Sequence, residues 1–73
     1  MTARLRLRQL EALERVAVTG SMTRAAEVLG ISQPAVSRLL ADLAAETGLA
    51  LLERRDGRLV PTQEARFLLP DIH

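Results

Sequence analysis

Four glycines, Gly20, Gly30, Gly48 and Gly57, divide this chain into short segments, each closing a stretch with its own hydrophobic period. The segment between Gly20 and Gly30 is too short to hold a helix by itself, so it has to pack against its neighbours. With no cysteine, and Phe67 as the one aromatic residue, that packing falls to leucine, valine, isoleucine and alanine. Such an aliphatic, alanine-rich composition favours helices.

The same inventory excludes most chemistry. Seventy-three residues make one small domain, near the lower end of what a hydrophobic core supports unaided, and leave no room for a cofactor-binding domain. Without cysteine there are no disulfides, thiolate zinc sites or cysteine nucleophiles, and His73 as the lone histidine rules out a multi-histidine metal site. No nucleophile, base and orienting group occur at plausible spacing and no glycine-rich phosphate loop is present, so neither catalysis nor a cofactor is expected. No run approaches the roughly 20 apolar residues of a membrane span, nor does the N-terminus carry the apolar core of a signal peptide. A soluble, cytoplasmic protein is expected.

Before Gly20, the spacing of Leu7, Leu10, Leu13 and Ala17 predicts an amphipathic helix, with Glu11 and Arg15 placed to pair at i, i+4. Ser21 or Thr23 offers a cap for a second helix whose apolar residues are Ala25, Ala26, Val28 and Leu29. Ser32 is the next cap candidate and Pro34 falls in the first turn that follows, where a missing N–H costs nothing. Val36, Leu39, Leu40 and Leu43 then give the cleanest helical stripe, ended by Gly48. Beyond it, Asp56-Gly57 favours a hairpin turn between Leu51–Arg54 and Leu59–Val60, which predicts a two-stranded ribbon stopped by Pro61. Thr62 can cap a fourth helix with Ala65, Leu68 and Leu69 on its apolar side, kinked or ended by Pro70.

The informative stretch is TRAAEVLGISQPAVSRLL. Two helices meeting steeply across a tight turn need a small residue where their backbones approach. Ala26 stands four residues before the turn glycine, Gly30, which must adopt φ > 0. Leu29, Ile31, Val36 and Leu39 occupy the positions that would lock the pair together. This is the spacing of a helix-turn-helix.

Charge placement then bears on function. All ten basic residues are arginine, whose planar fork suits phosphate or guanine, although biased codon usage would give the same count. From Val28 to Ala41 no residue is acidic, and Asp42 and Glu46 appear only later in the third helix. Carboxylates on a helix entering the major groove would be repelled by phosphates, so an acid-free front is what such a helix requires. Ser32, Gln33, Ser37 and Arg38 lie opposite the apolar stripe. Gln33 suits a bidentate contact to adenine, and Arg38 suits phosphate or guanine. The same residues would also stand on an ordinary solvated helix face. Arg54, Arg55 and Arg58 surround the ribbon's turn, as a wing on the DNA backbone or in the minor groove would need, but Glu53 and Asp56 are interleaved as in any solvated hairpin. Arg4, Arg6 and Arg8 read as a frayed, solvated end, and His73 carries no expected role.

The chain resembles the N-terminal DNA-binding domain of LysR-type transcriptional regulators. The matching stretches are LRQLEAL, GSMTRAAEVLGISQPAVSRLLADL and GLALLERRDGRLVPT, which together cover nearly the whole sequence. The resemblance implies that Gln33, Pro34, Ser37 and Arg38 face DNA, that Ser32 and Thr23 lie near phosphates, and that Arg54 supports or contacts the minor groove. Departures occur at Leu13 and Leu52, where phenylalanine is usual, at Ala44 and Ala45, where an acidic pair is common, and at Ala65, where a glycine often follows the wing. Family members continue into a linker helix and an effector domain, so the chain reads as a fragment. Homo-oligomerisation, as a dimer or higher, would run through that helix and be weak here, and a small-molecule effector would act only through the missing domain.

The expected fold is mainly α: a winged helix-turn-helix with a three-helix core, a short two-stranded β-wing at about 51–60 and the start of a linker helix. Residues 1–61 form the DNA-binding domain and 62–73 open the linker. The expected function is sequence-specific binding of double-stranded DNA for transcriptional regulation, with the helix at about 33–47 in the major groove. The alternative is a helical protein-interaction module on the same fold, which an acidic or strongly apolar exposed face on the third helix would favour.

Overall fold

The computed structural model describes residues 3–69. In chain order they form α1 (Ala3–Thr19), α2 (Met22–Leu29), α3 (Gln33–Thr47), β1 (Leu52–Arg55), β2 (Arg58–Pro61) and a 3-10 helix at Ala65–Leu68. The three helices and antiparallel ribbon are the architecture expected of a winged helix-turn-helix. Among the described residues, no helix is long and apolar enough to cross a membrane.

Each cap does what its residue type allows. Ser21 accepts from the Arg24 N–H at 3.1 Å and Ser32 from the Ala35 N–H at 3.2 Å, so each hydroxyl satisfies a backbone donor that the first helical turn leaves unpaired. Gly30 ends α2 with φ 70°. In that left-handed conformation the Gly30 and Ile31 N–H groups bond back to the carbonyls of Glu27 and Ala26, at 3.3 and 3.1 Å. The chain thus reverses into α3 with its backbone groups paired, and Ile31 turns inward against the core.

The core is assembled from all parts of the chain: Ala12, Leu13 and Val16 of α1, Ala25 and Ala26 of α2, Val36, Leu40 and Leu43 of α3, with Leu51 and Ala65 from the segments flanking the ribbon. The alanine pair lets α2 approach its neighbours closely. The buried face of α1 is rotated from the leucine stripe expected for it: Gln9, Ala12, Leu13 and Val16 are the fully buried positions, Leu10 and Ala17 are half-buried, and Leu7 is 58% exposed. Of the apolar residues of α2, Ala25 and Ala26 are buried, Leu29 is half-buried and Val28 is 59% exposed. Glu11 pairs at 3.7 Å with Arg8, and Arg15 at 3.2 Å with Glu14, instead of with each other. Arg6, expected in a frayed end, reaches Glu46 at 3.0 Å, and the Gln9 amide donates to the same carboxylate at 3.4 Å, tying α1 to the end of α3. The side chain of Arg4, and Pro70 and His73, lie outside the described residues.

The ribbon runs one residue beyond its expected bounds at several ends. Leu52 pairs with Pro61 and Arg55 with Arg58, across a two-residue loop in which Asp56 (φ 53°) and Gly57 (φ 80°) both have positive φ. This is the loop geometry whose twist matches the flanking strands. Leu51 is buried in the core and precedes the pairing; Pro61, expected to stop the ribbon, is its last paired residue.

The segment from Thr62 to Leu69, expected as the opening of an α-helix, forms a 3-10 helix. Thr62 caps it as expected, accepting from the Ala65 N–H at 3.1 Å. The helix goes no further because Leu69 is extended (φ −94°, ψ 145°), the conformation favoured by a residue that precedes proline.

Candidate nucleic-acid interface

The helix-turn-helix sets out its exposed polar groups by helical geometry. On α3, Gln33 and Ser37, like Pro34 and Arg38, are four residues apart and share one face. All four are exposed, and Val36, Leu40 and Leu43 are buried beneath them. Ser32 is exposed too, but its hydroxyl is occupied as the cap of α3. Across the turn, exposed Thr23 donates to the Gln33 Oε1 at 3.3 Å. Carboxylates remain at the edges of this face, on Glu27 and Asp42.

One hydrogen bond seats the wing on the helices and two close the base of the ribbon. The Leu59 N–H donates to the Gly20 carbonyl at 3.0 Å, and the Thr62 N–H to the Leu51 carbonyl at 3.0 Å. The Thr62 hydroxyl also donates to the Ala50 carbonyl at 2.5 Å. Because side chains alternate along a strand, Arg54 leaves the ribbon on the face opposite to Arg55 and its partner Arg58. Arg54 shares a face with its partner Leu59 and, with Gly57, borders a cleft of about 250 Å³ that also takes in Gly20, Ser21, Met22, Thr23 and Gln33. Its Nη1 donates to the Gly57 carbonyl at 3.4 Å. Arg55 lies instead on a second depression with Glu53, Val60, Pro61, Gln63 and Arg66, and its guanidinium is 3.5 Å from the Glu53 carboxylate. Arg58 folds back over Gly20, where an added Cβ would stand 2.8 Å from its Nε and Nη2.

The structure therefore brings Thr23, Gln33 and Arg54 around one cleft, sets Pro34, Ser37 and Arg38 along the adjoining helix face, and separates Arg55 from both. Reading the sequence missed Gly20 as the seat of the wing. The sequence signal for it was a glycine ending α1, which reported only a chain reversal. It also missed Thr62 as a tie between the ribbon and the body.

Residues 7–66 match the family model described as bacterial regulatory helix-turn-helix protein, lysR family. The chain is 47% identical over 68 residues to the octopine catabolism/uptake operon regulatory protein OccR of Rhizobium meliloti, covering 93% of this chain and 23% of that protein. It is 51% identical over 65 residues to the regulatory protein NocR of Agrobacterium fabrum, covering 89% of this chain and 22% of the relative. Among solved structures, the BenM_DBD/benA site 1 DNA complex superposes with a TM-score of 0.78 at 39% identity, over 85% of this chain and 70% of that one. The chain thus spans under a quarter of the length of these two curated relatives. On the match of model, relatives and fold together, this chain belongs to the LysR family of bacterial regulatory helix-turn-helix proteins.

Proposed function

We propose that this chain binds double-stranded DNA with sequence preference in the service of transcriptional regulation. The observation that carries the reading is the front of α3, where Gln33, Pro34, Ser37 and Arg38 are exposed together and no carboxylate occurs before Asp42. In this reading the start of α3 enters the major groove, and Gln33 and Arg38 meet base edges or phosphates. Pro34 and Ser37 pack beside them, and Thr23 and Ser32 stand near the backbone. Arg54 extends the contact along the wing toward the minor groove, Arg58 adds charge at the α1–α2 corner, and Arg55 lies at the rim. The relatives are named as regulators and the BenM domain was crystallised on DNA, which supports the same docking.

The protein-interaction alternative needs an apolar docking face on α3. The large hydrophobic side chains exposed among the described residues are Leu7, Val18, Val28 and Phe67, and none of these belongs to α3. In a longer protein of the relatives' length, oligomerisation through a linker helix and response to a small molecule through a further domain would follow, within the bacterial cytoplasm. The chain itself acts by binding and not by catalysis.

Enrichment from a pool of random duplexes tests the reading. The expected result is a short consensus whose preference over bulk DNA falls on Gln33→Ala by about 1–3 kcal/mol, while bulk binding is kept. Equal loss of specific and nonspecific affinity would remove Gln33 as a base reader.

A further inference from the structure

The hydrogen bond between Thr23 and Gln33 joins the second residue of α2 to the first residue of α3, directly across the turn. Its chemistry has a direction. Gln33 Oε1 has no hydrogen to give, so the Thr23 hydroxyl is the donor and the amide oxygen is drawn toward α2. The Nε2 group, which has no protein partner among the described residues, is then the end of the amide left leading away from the turn. A leading N–H₂ group matches an acceptor on a base edge: N7 or O6 of guanine, N7 of adenine or O4 of thymine. It opposes the N4 amino group of cytosine, donor against donor.

We infer that Thr23 is a positioning residue that tethers the side-chain amide of Gln33 across the turn, so that base discrimination at the position Gln33 reads depends on the Thr23 hydroxyl. This rests on the reading of α3 as the DNA-contacting helix, and it assigns Thr23 a role different from holding a phosphate. Without the hydroxyl the amide loses its anchor on α2 and samples more positions, so the loss is one of discrimination before it is one of affinity.

The test uses the 73-residue chain and a duplex enriched from a random pool, with each base pair of the consensus substituted in turn and affinities read by fluorescence anisotropy. Thr23→Val and Thr23→Ala should lower the penalty for the disfavoured bases at a single position by about three- to tenfold, the worth of one hydrogen bond, a change of base profile that a lost phosphate contact does not produce, with the melting temperature unchanged. Thr23→Ser should restore the unmodified pattern. In the DNA-free chain, the Gln33 side-chain amide resonances should shift in Thr23→Val and Thr23→Ala but not in Thr23→Ser. A uniform fall in affinity for every duplex would show that Thr23 holds a phosphate and would overturn the inference, as would an unchanged base profile. If the unmodified chain enriches no sequence at all, the parent reading fails and this one with it. If it enriches a consensus that Thr23 variants leave untouched, only this one fails.

Discussion

The guanidinium of Arg58 lies across the Cα of Gly20. A Cβ added at Gly20 would stand 2.8 Å from Nε and Nη2 and 2.9 Å from Cζ, closer than side-chain carbons approach such atoms. One residue further on, the Leu59 N–H donates to the Gly20 carbonyl at 3.0 Å. The corner between α1 and α2 is thus where the wing is seated; glycine is required there for its φ of 74°, and it also leaves the space that Arg58 fills.

Gly20→Ala separates these two demands. The left-handed backbone costs an alanine about 1–2 kcal/mol, whereas the far end of an arginine can move aside cheaply. Thermal melts should place Gly20→Ala lower by roughly 5–10 °C, and adding Arg58→Ala should recover little of that loss. Full recovery in the double variant would mean that crowding by the guanidinium, and not the backbone, sets the requirement.

Gly30 provides the contrasting case, since its φ is 70° and no atom would crowd an added Cβ. Substitution there is a backbone question alone. Gly30→Val should destabilise by about 2 kcal/mol or more, because a β-branched residue resists positive φ, while Gly30→Asn should lose well under half as much. Equal losses in chemical denaturation would show that the Schellman-type ending of α2 does not govern stability.

Thr62 joins the ribbon to the body through its hydroxyl, which donates to the Ala50 carbonyl and accepts from the Ala65 N–H while only 8% exposed. Thr62→Val keeps the shape and removes both bonds, leaving the buried Ala65 N–H and the partly buried Ala50 carbonyl without that partner. The expected cost is about 2–3 kcal/mol by denaturant unfolding, with Thr62→Ser near the parent. A neutral Thr62→Val would mean that water serves those groups equally well.

Arg54 and Arg55 are neighbours in sequence and opposites in place. Arg54 borders the cleft shared with Thr23 and Gln33, and Arg55 lies with Glu53 on the other depression. Each phosphate neutralised on B-form DNA contributes about −0.9 to the slope of log affinity against log salt. Arg54→Ala should make that slope shallower by about one, and Arg55→Ala should change it much less. The reverse order would place the other face of the ribbon on DNA.

The helix-turn-helix was legible because its signals are local. Ser32, Pro34 and Gly30 act within a turn of their own position, and the Val36, Leu40, Leu43 stripe reports a face that packs on one side. The α1 stripe was misread by following leucines. That helix packs against α2, α3 and β2, so its buried face is set by small Ala12, by Val16 and by Gln9, whose polarity disguises its position. The wing's turn followed from Asp56-Gly57, but the seat of Arg58 on Gly20 joins residues 38 apart in sequence, and no periodicity reports it. The expected strands ended at Arg54 and began at Leu59, which left the paired Arg55 and Arg58 out of the ribbon and so hid the division of the wing arginines between its two faces.

The salt dependence of duplex-DNA affinity tests the central claim most directly, because a binding face of arginines on a chain of net charge +1 must release counterions to bind. Arg24, Arg38, Arg54 and Arg58 are exposed on or beside the proposed face. Anisotropy titrations of the unmodified chain across a range of salt concentrations should therefore give a slope of about −3 to −4 per protomer, for three or four phosphates neutralised. A slope near zero would contradict the account and leave the fold without DNA as its partner.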